Sequence, residues 1–225
     1  MIDLHTHTIL SDGDLIPSEL VRRAENNGIE AIAITDHVDH SNIDFVIAGL
    51  LKVAVPLNRY GKTYVIPGVE ITHAPVETIG GLIALAREKG ALIVVVHGES
   101  PVEPVIKGTN RAAIEAGCDI LAHPGTLSEE DARLAAEKGV CLEITTRRGH
   151  SRTNRHVFDV AMKTGAKLVL NTDTHAPEDI MTREKRDAVL AELTDREDVR
   201  AAILRNSEEI VMRIKASGDV PRCTS

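Results

Sequence analysis

One pattern recurs along the chain: a polar stretch with helical periodicity ends at a glycine, and a short apolar run follows at once. The glycines are Gly28, Gly90, Gly117, Gly139 and Gly165. Glycine suits the left-handed backbone conformation that closes a helix. A continuous apolar run of this length is typical of a strand that is buried on both faces. The pattern therefore predicts five successive helix–strand units.

Two further apolar runs bring the predicted strands to seven. The predicted strands are residues 1–5, 29–34, 64–71, 91–96, 118–122, 140–144 and 166–170. Strands that alternate with helices predict a parallel sheet with the helices outside. Seven strands in a chain of this length favour an α/β fold, namely a distorted seven-stranded parallel β/α (TIM-like) barrel. A doubly wound open sheet is the alternative.

The helix signals agree with this arrangement. Pro17 stands at the start of the predicted helix 18–27, where proline is favoured. Ser128 opens a second helix and fits a capping pattern. Residues 183–216 predict two helical segments with no further strand. We expect one domain over residues 1–217 and a flexible C-terminal tail over 218–225.

Potential metal ligands fall at the C-terminal ends of the predicted strands. They are His5, His7, Asp12, His37, Glu70, His97, His123, Asp173 and His175. In a parallel barrel these ends converge on one face, where active sites lie. A single histidine at such a position is more often a hydrogen-bonded core residue. A set in register with strand after strand predicts a metal centre.

The number of these residues exceeds what one ion needs, since a tetrahedral zinc site uses four ligands. We therefore expect two or three divalent metal ions, with Glu70 and Asp173 as candidate bridging carboxylates. Imidazoles combined with carboxylates suit zinc, manganese or iron better than calcium or magnesium.

Composition and charge narrow the possible partners. Hydrophobic residues make up 43% of the chain and aromatic residues only 2%, so the core must be aliphatic. The formal net charge of −8 argues against tight binding to duplex nucleic acid, which needs a broad basic face. A small phosphorylated substrate remains compatible with an acidic protein. The oligomeric state is left open.

The chain carries no sign of a membrane segment or a disulfide framework. Its cysteines, Cys118, Cys141 and Cys223, lie far apart and form no C-x-x-C motif. No basic region followed by an apolar stretch begins the sequence. No apolar run approaches the ~20 residues of a membrane span. We expect a cytoplasmic protein that does not associate with membranes.

Several short motifs together resemble one known superfamily. They are His5-x-His7, Ser11-Asp12-Gly13, Thr35-Asp36-His37, Pro67-Gly68-Val69-Glu70, His97, His123-Pro124 and Asp173-x-His175. In this order they resemble the polymerase and histidinol phosphatase (PHP) superfamily from residue 1 to about residue 177. The resemblance implies a distorted seven-stranded barrel with up to three metal ions that hydrolyses phosphomonoesters or phosphodiesters.

The resemblance also implies a distribution of the ligands. The first ion would be held by His5, His7, Glu70 and Asp173. Glu70 would bridge to a second ion, completed by His97 and His123. The third ion would be held by Asp12, His37 and His175. Some members have histidine at the position of Asp12, and an acidic ligand there would alter the third site.

The expected chemistry is in-line attack on phosphorus by water that two metal ions activate. The candidate catalytic residues are Asp12, His175 and Asp173. The general acid is left open between Asp12, His175 and water on a metal ion.

A basic segment at 147–156 follows the sixth predicted strand and so should lie at the same mouth. Arginine forks suit phosphate oxygens, and the alternative is a solvated basic loop. The candidate substrate-binding residues are Arg148 and Arg152 first, then Arg147, Lys107 and Arg111.

Some polar residues allow two interpretations. Asp36 could orient the adjacent His37 or cap the loop that follows. Glu143, at the end of the sixth predicted strand, could support a ligand or be a structural carboxylate. His40 and His73 are expected in loops, outside the matched motifs.

The sequence therefore predicts a metal-dependent phosphoesterase acting on a small phosphomonoester, similar to histidinol phosphatase. One alternative is a phosphodiesterase or exonuclease acting on nucleotides or single-stranded ends. A second is a non-catalytic metal-binding module, and a third is amidohydrolase chemistry on a C–N bond. Few aromatic residues are available for stacking bases, which weakens the exonuclease alternative.

Overall fold

The structure is a computed structural model that describes residues 1–217, so the predicted tail at 218–225 lies outside the described residues. The strands are β1 (Ile2–Asp3), β2 (Ala31–Ile34), β3 (His37–Val38), β4 (Tyr64–Ile71), β5 (Ile93–His97), β6 (Ile120–Ala122), β7 (Cys141–Thr145) and β8 (Leu168–Asn171). The α-helices are α1 (Pro17–Asn26), α2 (Ile43–Tyr60), α3 (Ile79–Glu88), α4 (Thr109–Ala116), α5 (Glu129–Lys138), α6 (Asn154–Thr164), α7 (Arg183–Leu193) and α8 (Glu197–Ser217). Short 3₁₀ helices span Val76–Thr78, His150–Thr153 and Pro177–Asp179.

Seven strands form a nearly closed parallel barrel in the order β1-β2-β4-β5-β6-β7-β8. The short strand β3 lies off this path and pairs with the end of β4. Backbone hydrogen bonds draw the ends of β1 and β8 together: the Asp173 N–H donates to the His5 carbonyl at 3.0 Å, and the His7 N–H donates to the Thr174 carbonyl at 2.8 Å. The predicted fold class is confirmed.

The boundary glycines explain why the elements alternate so regularly. Gly28, Gly90, Gly117, Gly139 and Gly165 all have positive φ, between 72° and 98°. A side chain would strain the backbone in this region, so each glycine ends its helix and releases the chain into the next strand. The two helical segments predicted over 183–216 are also confirmed as α7 and α8. Strand β3 was not predicted, because two residues are too few for a periodic signal.

Alternate side chains of each strand enter two separate apolar layers. In β5, Ile93 and Val95 join the cluster inside the barrel, whereas Val94 and Val96 join the cluster between the strands and the helices. Both faces of a strand are therefore buried, which accounts for the continuous apolar runs. Helix α8 adds Ile210, Val211 and Ile214 to the inner cluster.

Helix α8 covers the N-terminal ends of the strands. Its Arg213 donates a hydrogen bond to Asp119, just before β6 begins, and its Lys215 lies over the ring of Tyr64 at the start of β4. The opposite end of the barrel, where the strands finish, stays open to solvent through a cavity. None of the helices within residues 1–217 has the length and apolar character needed to cross a membrane.

Candidate metal centre

The nine predicted ligands converge at the mouth formed by the C-terminal strand ends. Their donor atoms fall into four overlapping groups, each with all atoms within 4.8 Å of one another. The groups are His5–His7–Glu70, Glu70–His97–His123, His5–His123–Asp173 and His7–Asp12–His37–His175. Donors drawn from seven separate segments thus share one small volume, as the barrel topology requires.

Glu70 and Asp173 occupy the centre of the arrangement. Glu70 Oε1 lies 3.4 Å from His5 Nε2, and Glu70 Oε2 lies 3.6 Å from His7 Nε2. Asp173 lies 3.1 Å from His7 Nε2 and 3.6 Å from His123 Nε2. Each carboxylate therefore contacts imidazoles from more than one group, which is the placement that a bridging ligand needs.

Asp12 sits nearer to solvent than the other members. Its carboxylate lies 3.4 Å from His37 Nε2 and 3.2 Å from His175 Nε2, and its side chain is 55% exposed. Gly13 lets this loop pack close to the site, since a Cβ there would lie 2.7 Å from the His7 backbone. The Ser-Asp-Gly segment thus delivers an acidic group to the outer edge of the cluster.

Several buried donor atoms of the cluster lack a hydrogen-bond partner among the described residues. They are His5 Nε2, both ring nitrogens of His7, Glu70 Oε1 and His123 Nδ1. A buried polar atom without a partner costs about 1–3 kcal/mol. Imidazole and carboxylate donors that face each other without hydrogen bonds fit divalent ions of the zinc, manganese or iron kind.

The charges of the cluster are strongly perturbed. Burial raises the pKa of the Asp173 carboxyl to about 7. Burial opposes protonation of His37, but the carboxylates of Glu70 and Asp12 raise its pKa to about 10. Burial and neighbouring imidazoles hold the pKa of His7 and of His123 well below the usual range. Neutral imidazoles of this kind are ready to bind a metal ion.

Two of the site residues adopt a backbone conformation that is uncommon outside glycine. His123 has φ of 27° and Asp173 has φ of 55°. Such conformations cost roughly 1–3 kcal/mol each and persist where surrounding structure holds them in place. His123 directly follows β6, and Asp173 is the second residue after β8, so both lie where the strands end at the cluster.

Glu143 supports the cluster from β7. One of its oxygens lies 2.8 Å from His5 Nδ1 and accepts a hydrogen bond from Asn171 at 2.9 Å. The other accepts the His123 N–H at 3.1 Å. A carboxylate on the far nitrogen of a ligand histidine fixes the tautomer and the ring orientation. The structure thus favours the supporting role for Glu143.

Asp36 ties down the loop that carries Asp12. It accepts hydrogen bonds from the Thr8 N–H and hydroxyl, at 2.7 Å and 2.8 Å, and from the Ser11 hydroxyl at 2.7 Å. These contacts run backwards to the loop after β1. They involve neither the ring of His37 nor the loop that follows, so they match neither of the two predicted roles, and Asp36 instead holds the preceding loop.

A cavity of about 490 Å³ opens onto the cluster, and Arg147 is the arginine in its wall. Arg147 Nη1 lies 3.1 Å from Asp179 and its Nε lies 3.8 Å from Asp173. The more favoured candidates, Arg148 and Arg152, are exposed and lie outside the lining, as does Lys107. Arg111 is engaged by Glu115, Glu130 and Asp131 on the outer surface.

The cavity wall also contains His73, Glu103 and His150, which were not among the predicted site residues. Glu103 had no signal, because it lies in the loop between β5 and α4, whose path the sequence does not specify. His73 and His150 stand after predicted strands, and their position relative to those strands was the available signal. Buried Cys118 and Cys141 lie away from this cavity, in agreement with a core role.

The sequence matches one protein family and several known proteins. The PHP domain family matches residues 3–155. An uncharacterized protein of Methanocaldococcus jannaschii is 46% identical over 216 residues, which covers 94% of this chain and 99% of that protein. A probable phosphatase of Acetivibrio thermocellus is 28% identical over 205 residues, covering 78% of this chain and 79% of that one.

Solved structures share the fold at low sequence identity. A chain in the cryo-EM structure of archaeal ribonuclease P with mature tRNA has a TM-score of 0.73 at 19% identity, covering 96% of this chain and 92% of that chain. The histidinol phosphate phosphatase of Lactococcus lactis, crystallised with zinc, L-histidinol and phosphate, has a TM-score of 0.61 at 16% identity, covering 85% and 93%. At these identities the likeness concerns the fold.

Proposed function

The chain belongs to the PHP domain family, and we propose that it is a metal-dependent phosphoesterase that hydrolyses small phosphomonoesters. The probable phosphatase that covers most of the chain supports this reaction class. The proposal also depends on the chemistry of the site, because one fold can serve several reactions.

The observation that carries the proposal is the buried donor set around Glu70. Its Oε1 and the facing His5 Nε2 lack hydrogen-bond partners among the described residues, although both are fully buried. Buried polar atoms in proteins nearly always have a hydrogen-bond partner or another ligand. Divalent ions would satisfy both atoms at once.

Membership of the family implies how the ions would be shared among the overlapping groups. His5, His7, Glu70 and Asp173 would hold one ion, and Glu70, His97 and His123 a second. Asp12, His37 and His175 would hold a third nearer to solvent. Ions bound there would supply a water of lowered pKa and positive charge next to the phosphoryl oxygens.

Arg147 is the residue best placed to bind the substrate phosphate. Its guanidinium reaches the cavity from the loop after β7, while Asp179 holds it at 3.1 Å. The fork of an arginine can bind two phosphate oxygens at once. A cavity of about 490 Å³ suits a small molecule. These features favour a compact monoester over a polynucleotide.

Glu143 and Asp36 would act by positioning other groups. Glu143 keeps the Nδ1 proton of His5 on the side away from the cluster, so Nε2 presents its lone pair to an ion. Asp36 holds the loop of Asp12 against β1 through Thr8 and Ser11. Loss of either carboxylate should loosen a ligand without removing one.

The test is hydrolysis by protein loaded with zinc, manganese or iron. The substrates are p-nitrophenyl phosphate, bis(p-nitrophenyl) phosphate, histidinol phosphate and nucleotides, with a chelator control. We expect chelator-sensitive turnover with monoesters preferred. A preference for diesters would favour the phosphodiesterase alternative. No turnover on any substrate by protein shown to contain metal would favour the non-catalytic module.

A matched pair of histidine variants separates the site from general effects. His97→Ala should lose bound metal and activity together, because His97 belongs to the group with Glu70 and His123. His40→Ala removes an exposed histidine outside the cavity wall and should change neither. Full activity at normal metal content in His97→Ala would contradict the assignment.

A further inference from the structure

A second set of metal-ligand side chains stands at the rim of the cavity, outside the nine-residue cluster except for His97. We call His73, His97 and Glu103 the rim group. Glu103 Oε2 lies 3.1 Å from His73 Nε2 and 3.1 Å from His97 Nε2. The donor atoms of the three residues all lie within 4.8 Å of one another. His73 and Glu103 have no part in the function proposed above.

The loop that carries Glu103 is anchored at both ends, so this placement is built into the fold. Glu99 Oε1 accepts the Gly108 N–H at 2.9 Å and the Asn110 N–H at 3.1 Å. Asn110 Oδ1 in turn accepts the Glu99 N–H at 2.9 Å. These bonds close the base of the loop and hold Glu103 over the end of β5.

The histidines of the rim group are also oriented. His97 Nδ1 lies 3.1 Å from the Gly98 carbonyl oxygen, which places the ring proton there and leaves the lone pair on Nε2. His73 adopts φ of 52° and directs Nε2 at the same carboxylate oxygen. The second oxygen of Glu103 lies 3.4 Å from His150 Nε2. His150 Nδ1 in turn lies 2.6 Å from the Ser100 hydroxyl. His150 is therefore held in place as a neighbour of the second Glu103 oxygen.

We propose that the rim group is a further binding site for a divalent ion of the zinc class, held by His73 Nε2, His97 Nε2 and Glu103. Two imidazoles and one carboxylate form a common zinc donor set. Zinc bonds of about 2.0–2.1 Å at tetrahedral angles separate neighbouring donors by roughly 3.3 Å. The 3.1 Å separations in the rim group agree with that spacing. All three residues line the cavity, so an ion could reach them from solvent.

The rim site should fill after the buried cluster. The side chains of His73 and Glu103 are 42% and 38% exposed, whereas those of His5, His7 and Glu70 are fully buried. His97 is common to the rim group and to the Glu70–His97–His123 group, and its single available lone pair binds one ion at a time. An ion at the rim therefore competes for His97 with the buried group. Excess zinc should consequently lower turnover in the wild-type enzyme.

The experiment is a zinc titration of chelator-treated, histidine-labelled protein followed by NMR. We expect the His5 and His7 signals to change first and the His73 signal to change at higher zinc concentration. Glu103→Gln should raise the zinc concentration needed at His73 by at least about tenfold. Glu77→Gln, an exposed acid on the neighbouring 3₁₀ helix, is the matched control and should have no effect.

Anomalous diffraction from crystals grown in excess zinc gives a direct second reading. A peak bonded to His73 Nε2 and Glu103 in the wild type, absent from Glu103→Gln, would support the rim site. Peaks in the buried cluster with none at the rim would overturn the rim site and leave the proposed function standing. Absence of any zinc from the protein would overturn both. A His73 response that is the same in Glu103→Gln as in the wild type would also overturn the rim site.

Discussion

Two buried carboxylates at opposite ends of the barrel show how differently its two faces are built. Asp119, at the N-terminal end, lies 3.2 Å from Arg87, and accepts hydrogen bonds from Arg213 at 2.5 Å and from the Val94 N–H at 2.8 Å. Glu70, at the C-terminal end, is fully buried, yet one of its oxygens has no hydrogen-bond partner among the described residues.

This contrast separates a face built for stability from a face built for binding. At the N-terminal face a buried charge is neutralised by arginines and by the backbone, as a structural carboxylate should be. At the C-terminal face several buried carboxylate and imidazole atoms have no hydrogen-bond partner among the described residues. In β/α barrels the first arrangement is typical of stability and the second of catalysis.

The largest expected effect comes from Glu70→Gln, which keeps the shape of the side chain and removes its charge. Because Glu70 belongs to two donor groups, metal affinity and phosphoesterase activity should each fall by more than about 100-fold, beyond the range for loss of a supporting residue. The melting temperature of the metal-free protein should also fall, because His37 Nδ1, 2.7 Å from the Glu70 carboxylate, loses its charged partner. Metal analysis, kinetics and thermal melts of the two proteins measure this.

Glu143→Gln tests the support beneath the cluster and should have a smaller effect. Glutamine keeps one acceptor oxygen in place of two, so either the His5 Nδ1 proton or the His123 N–H loses its partner, while every proposed ligand remains. Metal affinity or activity should fall about 10–100-fold. A competition assay with a metal-binding dye measures the affinity. An unchanged affinity and an unchanged activity would show that Glu143 serves only the strand packing.

The pH dependence of metal binding should amount to about tenfold in affinity per pH unit for each proton displaced. In the metal-free protein the pKa of His37 is raised to about 10, so the ring carries a proton at pH 7. Binding must release that proton, and affinity therefore rises as the pH rises. Calorimetry in buffers of different ionisation enthalpy counts the released protons. His37→Ala should reduce that count.

The smallest expected effect on metal binding comes from Asp119→Asn at the other end of the barrel. Loss of the charge leaves Arg87 and Arg213 without their shared buried partner. The free energy of unfolding should fall by about 1–3 kcal/mol, which lowers the melting temperature by several degrees in a domain of this size. Zinc affinity and kcat should stay at the wild-type values. A change in either would show that the two faces are coupled.

Much of the barrel could be predicted from local signals. A glycine before five of the apolar runs indicates the end of a helix, and each run indicates a strand that is buried on both faces. Both signals depend on only a few neighbouring residues, so they can be recognised without the fold. Strand β3 and the loop of Glu103 gave no such signal. The position of β3 follows from its pairing with β4, which lies beyond helix α2. The loop of Glu103 is closed by hydrogen bonds between Glu99 and Asn110 in an irregular segment without a periodic pattern.

The basic segment after β7 shows how far the sequence could predict the residues that bind substrate. Its composition indicated arginines at the mouth, but three of them follow one another within six residues and composition cannot tell which one faces inward. The turn after Thr145 decides it: Arg147 enters the cavity wall, where Asp179 holds it, whereas Arg148 and Arg152 are exposed. The roles of the last two in substrate binding stay predictions.

The fold class and the convergence of the nine donor residues could be read from the amino-acid sequence, because the order of the strands and the placement of ligands at strand ends are properties of the chain. Three features required the folded molecule: which polar atoms of the cluster lack hydrogen bonds, the support of His5 by Glu143, and the contact of Glu103 with His73 and His97. Those facts depend on distances between segments far apart in sequence. Packing of the closed barrel and its loops sets such distances, and no local pattern encodes them.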